Sequence, residues 1–301
     1  MPRIEPRRRR TAFPPGAVGA SRPAAAPRLR RIAAGALLLC AAAGSGRADQ
    51  GAPAASTPNA AASAATSALP SAAPGTAAHD TAGLRAHTIV YRATFMGIGA
   101  GTLELTLRPG SAPGTWLYET RANPSFLASF AVNPKSRERC WFELDATGRV
   151  APQRYQVDDG TTTHEDDIEL AYDRARGRIT GRARGTVVDL PLRPGTQDAM
   201  SIRLAVPVDL LAGREPAEYP MIDGGELKHF LFRRVGPERI RTALGELDTI
   251  VYTNERKGAG ARDRTWRWWY APSLAWLPVR IEQRQDGKTR LEFEVRSLKW
   301  L

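Results

Sequence analysis

Beyond residue 86 this chain alternates apolar and polar side chains, and that alternation constrains its fold more than any other feature. Thr102-Leu103-Glu104-Leu105-Thr106-Leu107-Arg108 is the clearest stretch. In an extended backbone successive side chains point to opposite faces, so Leu103, Leu105 and Leu107 line one face while Thr102, Glu104, Thr106 and Arg108 line the other. The same reading fits Thr115 to Arg121, Arg137 to Asp145, Leu227 to Val235, Leu247 to Thr253 and Leu291 to Val295. These are half-buried strands, apolar toward a core and polar toward water.

Turn residues separate the strands at short intervals. Asp286-Gly287 is the sharpest, because a type I′ hairpin turn needs positive φ at both positions and these residues tolerate it. Asp223-Gly224-Gly225, Ala243-Leu244-Gly245 and Asp145-Ala146-Thr147-Gly148 are looser breaks. Strands joined by tight turns pair antiparallel, since a parallel pair needs a long crossover. Two segments read as helical. Asn123-Pro124 has the form of a cap with Pro at the first helical position, leading into Ser125 to Phe130. Thr196 to Ala205 carries Asp198 in its first turn, and Pro207 is expected to end or kink it. The expected fold is all-β with minor α: a single antiparallel, strongly curved sheet or barrel of roughly a dozen strands with one or two short helices, because so many strands rarely leave open edges.

The formal charge of +12 suggests an anionic partner until it is located along the chain. Residues 1–48 hold ten Arg and one acid, Glu5, so the remainder carries only +3. Nucleic acid loses its main support as a partner. Arg28, Arg30 and Arg31 precede the apolar run Ile32 to Ala43, and Gly46-Arg47-Ala48 follows with small residues at the two positions a signal peptidase reads. Residues 1–48 are therefore expected to be a cleavable signal peptide, with most of residues 1–27 surplus to it and the true start downstream. The apolar run is too short to cross a bilayer, which takes about 20 residues. Leu37-Leu38-Leu39-Cys40 is a poor lipoprotein box because Leu39 stands where a small residue is wanted, and Arg30-Arg31 lacks the usual twin-arginine surroundings. Residues 49–85 are almost all Ala, Ser, Thr, Pro and Gly and read as a disordered linker, which leaves 86–301 as one β-rich, barrel-like domain. Cleavage would leave Cys140 as the single cysteine, and it shares a strand face with Phe142 and Leu144, the place for an inert buried thiol.

Several short motifs of the folded part resemble an uncharacterised bacterial exported family, domain of unknown function 3108. They are Met96-Gly97-Ile98-Gly99-Ala100-Gly101, Gly148-Arg149-Val150-Ala151-Pro152, Gln197-Asp198-Ala199-Met200-Ser201, Asp223-Gly224, Thr242-Ala243-Leu244-Gly245, Trp268-Trp269-Tyr270-Ala271-Pro272 and Leu277-Pro278-Val279-Arg280-Ile281. The resemblance implies a β-rich envelope domain and brings no catalytic residues.

Four constellations could carry chemistry. His164-Glu165-Asp166-Asp167 is the densest set of metal-ligand types; as a strand it puts His164 and Asp166 on one face, too few for a closed site, and His87 and His229 are distant in sequence, so no metal is expected. Asp198 and Ser201 lack a Gly-x-Ser-x-Gly elbow and a partner His, so helix-start chemistry explains them better than a nucleophile. Gly97-Ile98-Gly99-Ala100-Gly101 leads into a strand rather than a helix, which suits a bend or bulge and not a phosphate loop. Trp266-Arg267-Trp268-Trp269-Tyr270 puts Trp266, Trp268 and Tyr270 on one strand face. That face either packs a core, with Arg stacked on exposed rings opposite, or walls a ligand pocket.

Function divides accordingly. A non-catalytic binding or carrier module for a lipid or other apolar or amphipathic envelope molecule fits the curved sheet and the export signal, with Trp266, Trp268 and Tyr270 as pocket wall and Phe126, Leu127 and Phe130 as a lid. An envelope interaction or assembly protein is the alternative. A hydrolase fits worst. The expected location is the periplasm, with no cofactor, no nucleic acid and no transmembrane span in the mature chain; the sequence is silent on ligand identity and oligomeric state.

Overall fold

The computed structural model describes residues 83–223, 225–256 and 264–301, without the side chains of Phe130 and Arg264. The expected signal peptide, and the expected linker as far as residue 82, lie outside the described residues.

Fourteen strands form one antiparallel sheet. The first eight are β1 (His87–Phe95), β2 (Ile98–Pro109), β3 (Thr115–Pro124), β4 (Arg137–Leu144), β5 (Val150–Asp158), β6 (Ile168–Asp173), β7 (Arg178–Ala183) and β8 (Thr186–Pro191), each paired with the next. A helix, α1 (Ile202–Leu211), carries the chain to β9 (Glu218–Asp223). From there β10 (Glu226–Thr242), β11 (Gly245–Arg256), β12 (Arg264–Ala271), β13 (Leu277–Gln285) and β14 (Lys288–Trp300) meander back. β14 pairs with β1 from His87↔Trp300 to Phe95↔Leu291, so the first and last strands lie side by side in mid-sheet.

Because α1 joins the two outer strands, β8 and β9, the sheet must curl until both edges come within reach of one connection. The ladders skip one residue at Ala100 in β2, Gln153 in β5, Val235 in β10, Val279 in β13 and Arg290 and Arg296 in β14, and such bulges bend a strand locally and add twist. Among the described residues one isolated parallel bridge ties the segment between β8 and α1 to β9: the Gln197 N–H donates to Pro220 O and Gln197 O accepts from the Ile222 N–H, both at 2.9 Å. Among the described residues no ladder joins β8 to β9. The sheet is thus strongly curved, as the alternation predicts, and open along one seam.

Inside the curl lies α1. Eight of the ten residues in its sequence, Ile-Arg-Leu-Ala-Val-Pro-Val-Asp-Leu-Leu, are apolar and spread over every side, which suits a helix buried all round, and Ile202 through Leu210 are all buried. Each of Ile202, Leu204, Val206 and Val208 gains about 1.5–3 kcal/mol from leaving water. The two charged residues of the helix have partners. Arg203 lies 3.5 Å from Glu138 on β4, which also accepts the Tyr155 hydroxyl, and Asp209 accepts Arg214 Nε and the Tyr219 hydroxyl at 2.7 Å each.

Both helix expectations need correction. The second helix starts at Ile202 rather than Thr196, and Pro207 lies within it without ending it, because the surrounding sheet holds the turn that the missing N–H leaves weaker. Asp198 acts one turn earlier: its Oδ1 accepts the N–H groups of Met200 (2.9 Å) and Ser201 (2.8 Å), while Ser201 Oγ accepts the Asp198 N–H at 2.8 Å. Asn123 and Pro124 do not open a helix. They pair with Thr102 and Gly101 and extend β3, and only one 3-10 turn, Ala128–Phe130, follows. The ladder prevails over the local cap because Gly101, at φ +115, lets the Asn123 carbonyl approach so closely that a Cβ there would stand 2.2 Å from it.

Candidate functional site

The aromatic face of β12 packs the core. Trp266, Trp268 and Tyr270 are buried, with Trp268 and Tyr270 stacked at a 7° interplanar angle and Trp268 Nε1 donating to Asn254 Oδ1 at 2.7 Å. On the opposite face Arg267 and Arg280 lie 4.8 and 5.8 Å from the centroid of Trp269, which is buried rather than exposed because the two Arg side chains cover it. Cys140 is buried as its strand face implies, and its thiol donates to Asp198 Oδ2 at 3.2 Å; burial pushes its pKa up, and the adjacent Asp198 charge pushes it further. Ser201 is fully buried in the turn before α1, apart from any cleft described below.

The acidic motif changes place. β6 begins only at Ile168, so His164 to Asp167 belong to a loop, with His164 in the left-handed region at φ 54. The loop brings Asp158 and Asp159 to His164 and Asp167, with ligand-type atoms all within 4.8 Å of one another; Asp166 is not among them. Local donors already engage these carboxylates. Asp159 Oδ1 accepts from the Thr161 N–H and hydroxyl, its Oδ2 from the Asp166 N–H, Asp158 Oδ1 from the Gly160 N–H, and His164 Nδ1 lies 2.9 Å from Asp167 Oδ2. Burial raises the Asp159 pKa, but the Thr161 and Asp166 donors and the nearby His164 outweigh it and hold the carboxyl below its ordinary value. Such a set ties a loop together without an ion.

The hollow of the molecule lies elsewhere. A cleft of about 380 Å³ opens at the end of the curl where β14, β1, β2 and β3 meet. The reason is visible in the alternation. Lower on the concave face Ile89, Tyr91, Leu105, Leu107 and Tyr118 fill the space, while at the upper end the inward positions fall to Ala93, Ala100 and Ala122. Leu103 and Phe293 form its floor and also bound a small void beside Arg203 and Tyr91. Its roof is the segment from Ser125 to Val132, contributing Leu127, Ala128, Ala131 and Val132. The Ser125 N–H and hydroxyl fasten that roof to the carbonyls of Ala100 and Gly99, at 3.0 and 3.1 Å.

Among the described residues lining the cleft none is titratable, and the hydroxyls are those of Thr102 and Ser125. Such a wall holds hydrocarbon by dispersion and desolvation and offers neither acid nor base. Phe126 and Leu127, which sequence reasoning placed in a lid, stand on the roof with 79% and 69% of their surface exposed, and Leu127 also lines the cleft. The Phe130 side chain lies outside the described residues. Trp266, Trp268 and Tyr270 do not line this cleft. Of the residues that do, sequence reasoning named Leu127; the wall was missed because small side chains carry no chemical signal, and the available cue was the placing of Ala93, Ala100 and Ala122 at one end of adjoining strands.

A single antiparallel sheet curled round one apolar helix, with an uncharged cleft at its end, defines a β-barrel-like domain. The chain belongs to the family described as protein of unknown function, DUF3108, whose pattern matches residues 90–294. No curated protein matches the sequence. Among solved structures it is similar to a β-barrel-like protein of domain of unknown function DUF1849 from Brucella abortus, at 12% identity, covering 72% of this chain and 98% of that one, with a TM-score of 0.46. It is also similar to a chain of the MucA/MucB complex of Pseudomonas aeruginosa, at 13% identity over 73% of this chain and 53% of that one, with a TM-score of 0.34. A DUF1329 family protein from Desulfovibrio piger matches at 9% identity over 73% of this chain and 88% of that one, with a TM-score of 0.25.

Proposed function

We propose that this protein is a non-catalytic carrier of the bacterial envelope that holds one hydrocarbon chain of an apolar or amphipathic molecule in the cleft between β14, β1, β2, β3 and the 125–132 roof. The observation that supports this most strongly is the uncharged cleft of about 380 Å³. A methylene group takes up about as much room as a water molecule, about 30 Å³, so roughly a dozen carbons fit and a second chain does not. Ten buried methylenes at about 0.8 kcal/mol each give about 8 kcal/mol before the cost of association, enough for reversible carriage rather than permanent retention. The leader-like segment with Arg28 to Ala48 supports a place outside the cytoplasm.

The test is native mass spectrometry of the protein expressed from its complete reading frame and recovered from a bacterial periplasm. Wild type is expected to carry lipid-sized adducts, and Ala122→Phe and Ala128→Trp, which fill the cleft from its wall and from its roof, are expected to lose them while keeping the β-sheet circular dichroism spectrum. Bare wild-type protein in repeated preparations, or adducts that survive both substitutions, would overturn the proposal.

A further inference from the structure

Of the eight large apolar side chains exposed among the described residues, five stand at the mouth of the cleft: Phe95, Met96, Ile98, Phe126 and Leu127. They sit on two protruding tips, the β1–β2 turn and the roof, and Phe126 and Leu127 point largely to solvent although an apolar hollow lies beneath them. An exposed apolar cluster of this kind marks a surface that meets something other than water.

Met96 adds a second observation. It occupies the first position of a type I′ turn, with φ 51 followed by Gly97 at φ 81. Asn, Asp and Gly suit that position, and the molecule uses Asp at the equivalent place in the Asp286-Gly287 turn, also at φ 51. At the exposed apex of β1–β2 it keeps instead a long apolar side chain at a backbone cost.

Charge then favours one occupant. The turn end of the β13–β14 hairpin, next to this tip in the sheet, carries Arg284, Lys288 and Arg290 against Asp286, with Glu282 and Glu292 paired farther from the turn. Arg290 belongs to the same surface as the apolar tip: its carbonyl accepts the Met96 N–H at 2.8 Å, and its Nη1 lies 3.7 Å from Met96 Sδ. Apolar tips bordered by long cationic side chains match a boundary between hydrocarbon and phosphate, where Lys and Arg stems lie along apolar material and their heads reach the anions. The acidic loop from Asp158 to Asp167 packs against Asn133 to Ser136, just beyond the roof, so the proposed docking turns the β13–β14 side of this end, and not the loop side, to the anionic headgroups.

We propose that this end of the molecule docks on an anionic lipid bilayer, with the five apolar tips between the headgroups and the β13–β14 cations at the phosphates, so that a hydrocarbon chain passes between membrane and cleft without crossing water. Docking stands on the tips and the cations; only the transfer step rests on the carrier reading.

The experiment is flotation of the full protein with vesicles of phosphatidylcholine mixed with phosphatidylglycerol, beside vesicles of phosphatidylcholine alone, with transfer of a fluorescent acyl chain from the vesicles read in parallel. Wild type floats with the mixed vesicles. Met96→Asp/Phe126→Asp, at exposed positions outside the cleft lining, lowers partitioning by at least about tenfold, because two inserted apolar side chains are lost. Lys288→Glu/Arg290→Glu lowers binding to the mixed vesicles by about tenfold or more and changes binding to phosphatidylcholine alone by less than about threefold. Ala122→Phe floats like wild type and takes up no acyl chain. Loss of acyl uptake in every protein with flotation intact would refute the carrier reading and leave docking standing. Wild type that does not float, or an Asp double variant that floats as well as wild type, overturns docking; so does a wild type that self-associates through these tips in light scattering and ignores vesicles.

Discussion

Replacing Asp198 by asparagine measures how dry the ground beneath α1 is. The carboxyl is fully buried, and its Oδ1 accepts two backbone N–H groups while its Oδ2 accepts the Cys140 thiol. Burial raises its pKa, the donors from Ser201, Cys140 and Met200 pull it back, and the net effect pushes it up to about 6 from an ordinary 3.8. The folded protein therefore holds this proton more tightly than the unfolded chain does. The stability linked to it is complete below about pH 4 and is lost as pH rises through about 6. Integrated from about pH 4.5 to about pH 7.5, that loss is about 2 kcal/mol. Asparagine can accept the same two N–H groups and does not titrate. Urea unfolding followed by tryptophan fluorescence at both pH values is expected to show the Asp198→Asn protein gaining about 2 kcal/mol on wild type as pH rises. A difference between the two proteins that stays constant with pH, or that shrinks, would refute the reasoning.

Two further outcomes follow from the interior. Arg203→Met leaves the buried Glu138 without its guanidinium and is expected to cost about 3–5 kcal/mol in urea unfolding, most of it recovered in the Arg203→Met/Glu138→Gln double variant; a loss under about 1 kcal/mol would contradict a dry pair. Cys140 is expected to resist a thiol reagent in the folded protein and to react fully in urea, because only the thiolate attacks and burial disfavours it; equal rates in both states would show that the strand opens.

Much of the fold was legible because its strands are half-buried. The alternation from Thr102 to Arg108 gives β2 and its buried Leu103, Leu105 and Leu107, and Asp286-Gly287 gives the last hairpin with both residues at positive φ. Asn123-Pro124 misled because cap chemistry is local, whereas the ladder that claims those residues depends on Gly101, on the neighbouring strand. Pro207 misled because burial of a whole helix outweighs one missing N–H. The acidic motif changed partners because a loop, not a strand, carries it, and Asp158 and Asp159 reach it only through that loop. The aromatic stretch shows the limit most clearly. Alternation places Trp266, Trp268 and Tyr270 on one buried face, but strand period does not say whether that face looks onto a filled or an empty interior. Emptiness is decided by side-chain volume at one level of several strands, and at the cleft that level is occupied by Ala93, Ala100 and Ala122.

Photo-crosslinking with a fatty acid that carries its diazirine along the chain tests the central claim most directly, since it reports which wall the hydrocarbon touches. Adducts mapped by peptide mass spectrometry are expected on residues of the cleft, among them Leu103, Leu127 and Phe293, and to disappear in Ala122→Phe. Adducts concentrated on Trp266, Trp268 or Tyr270, or unchanged when the cleft is filled, would contradict it.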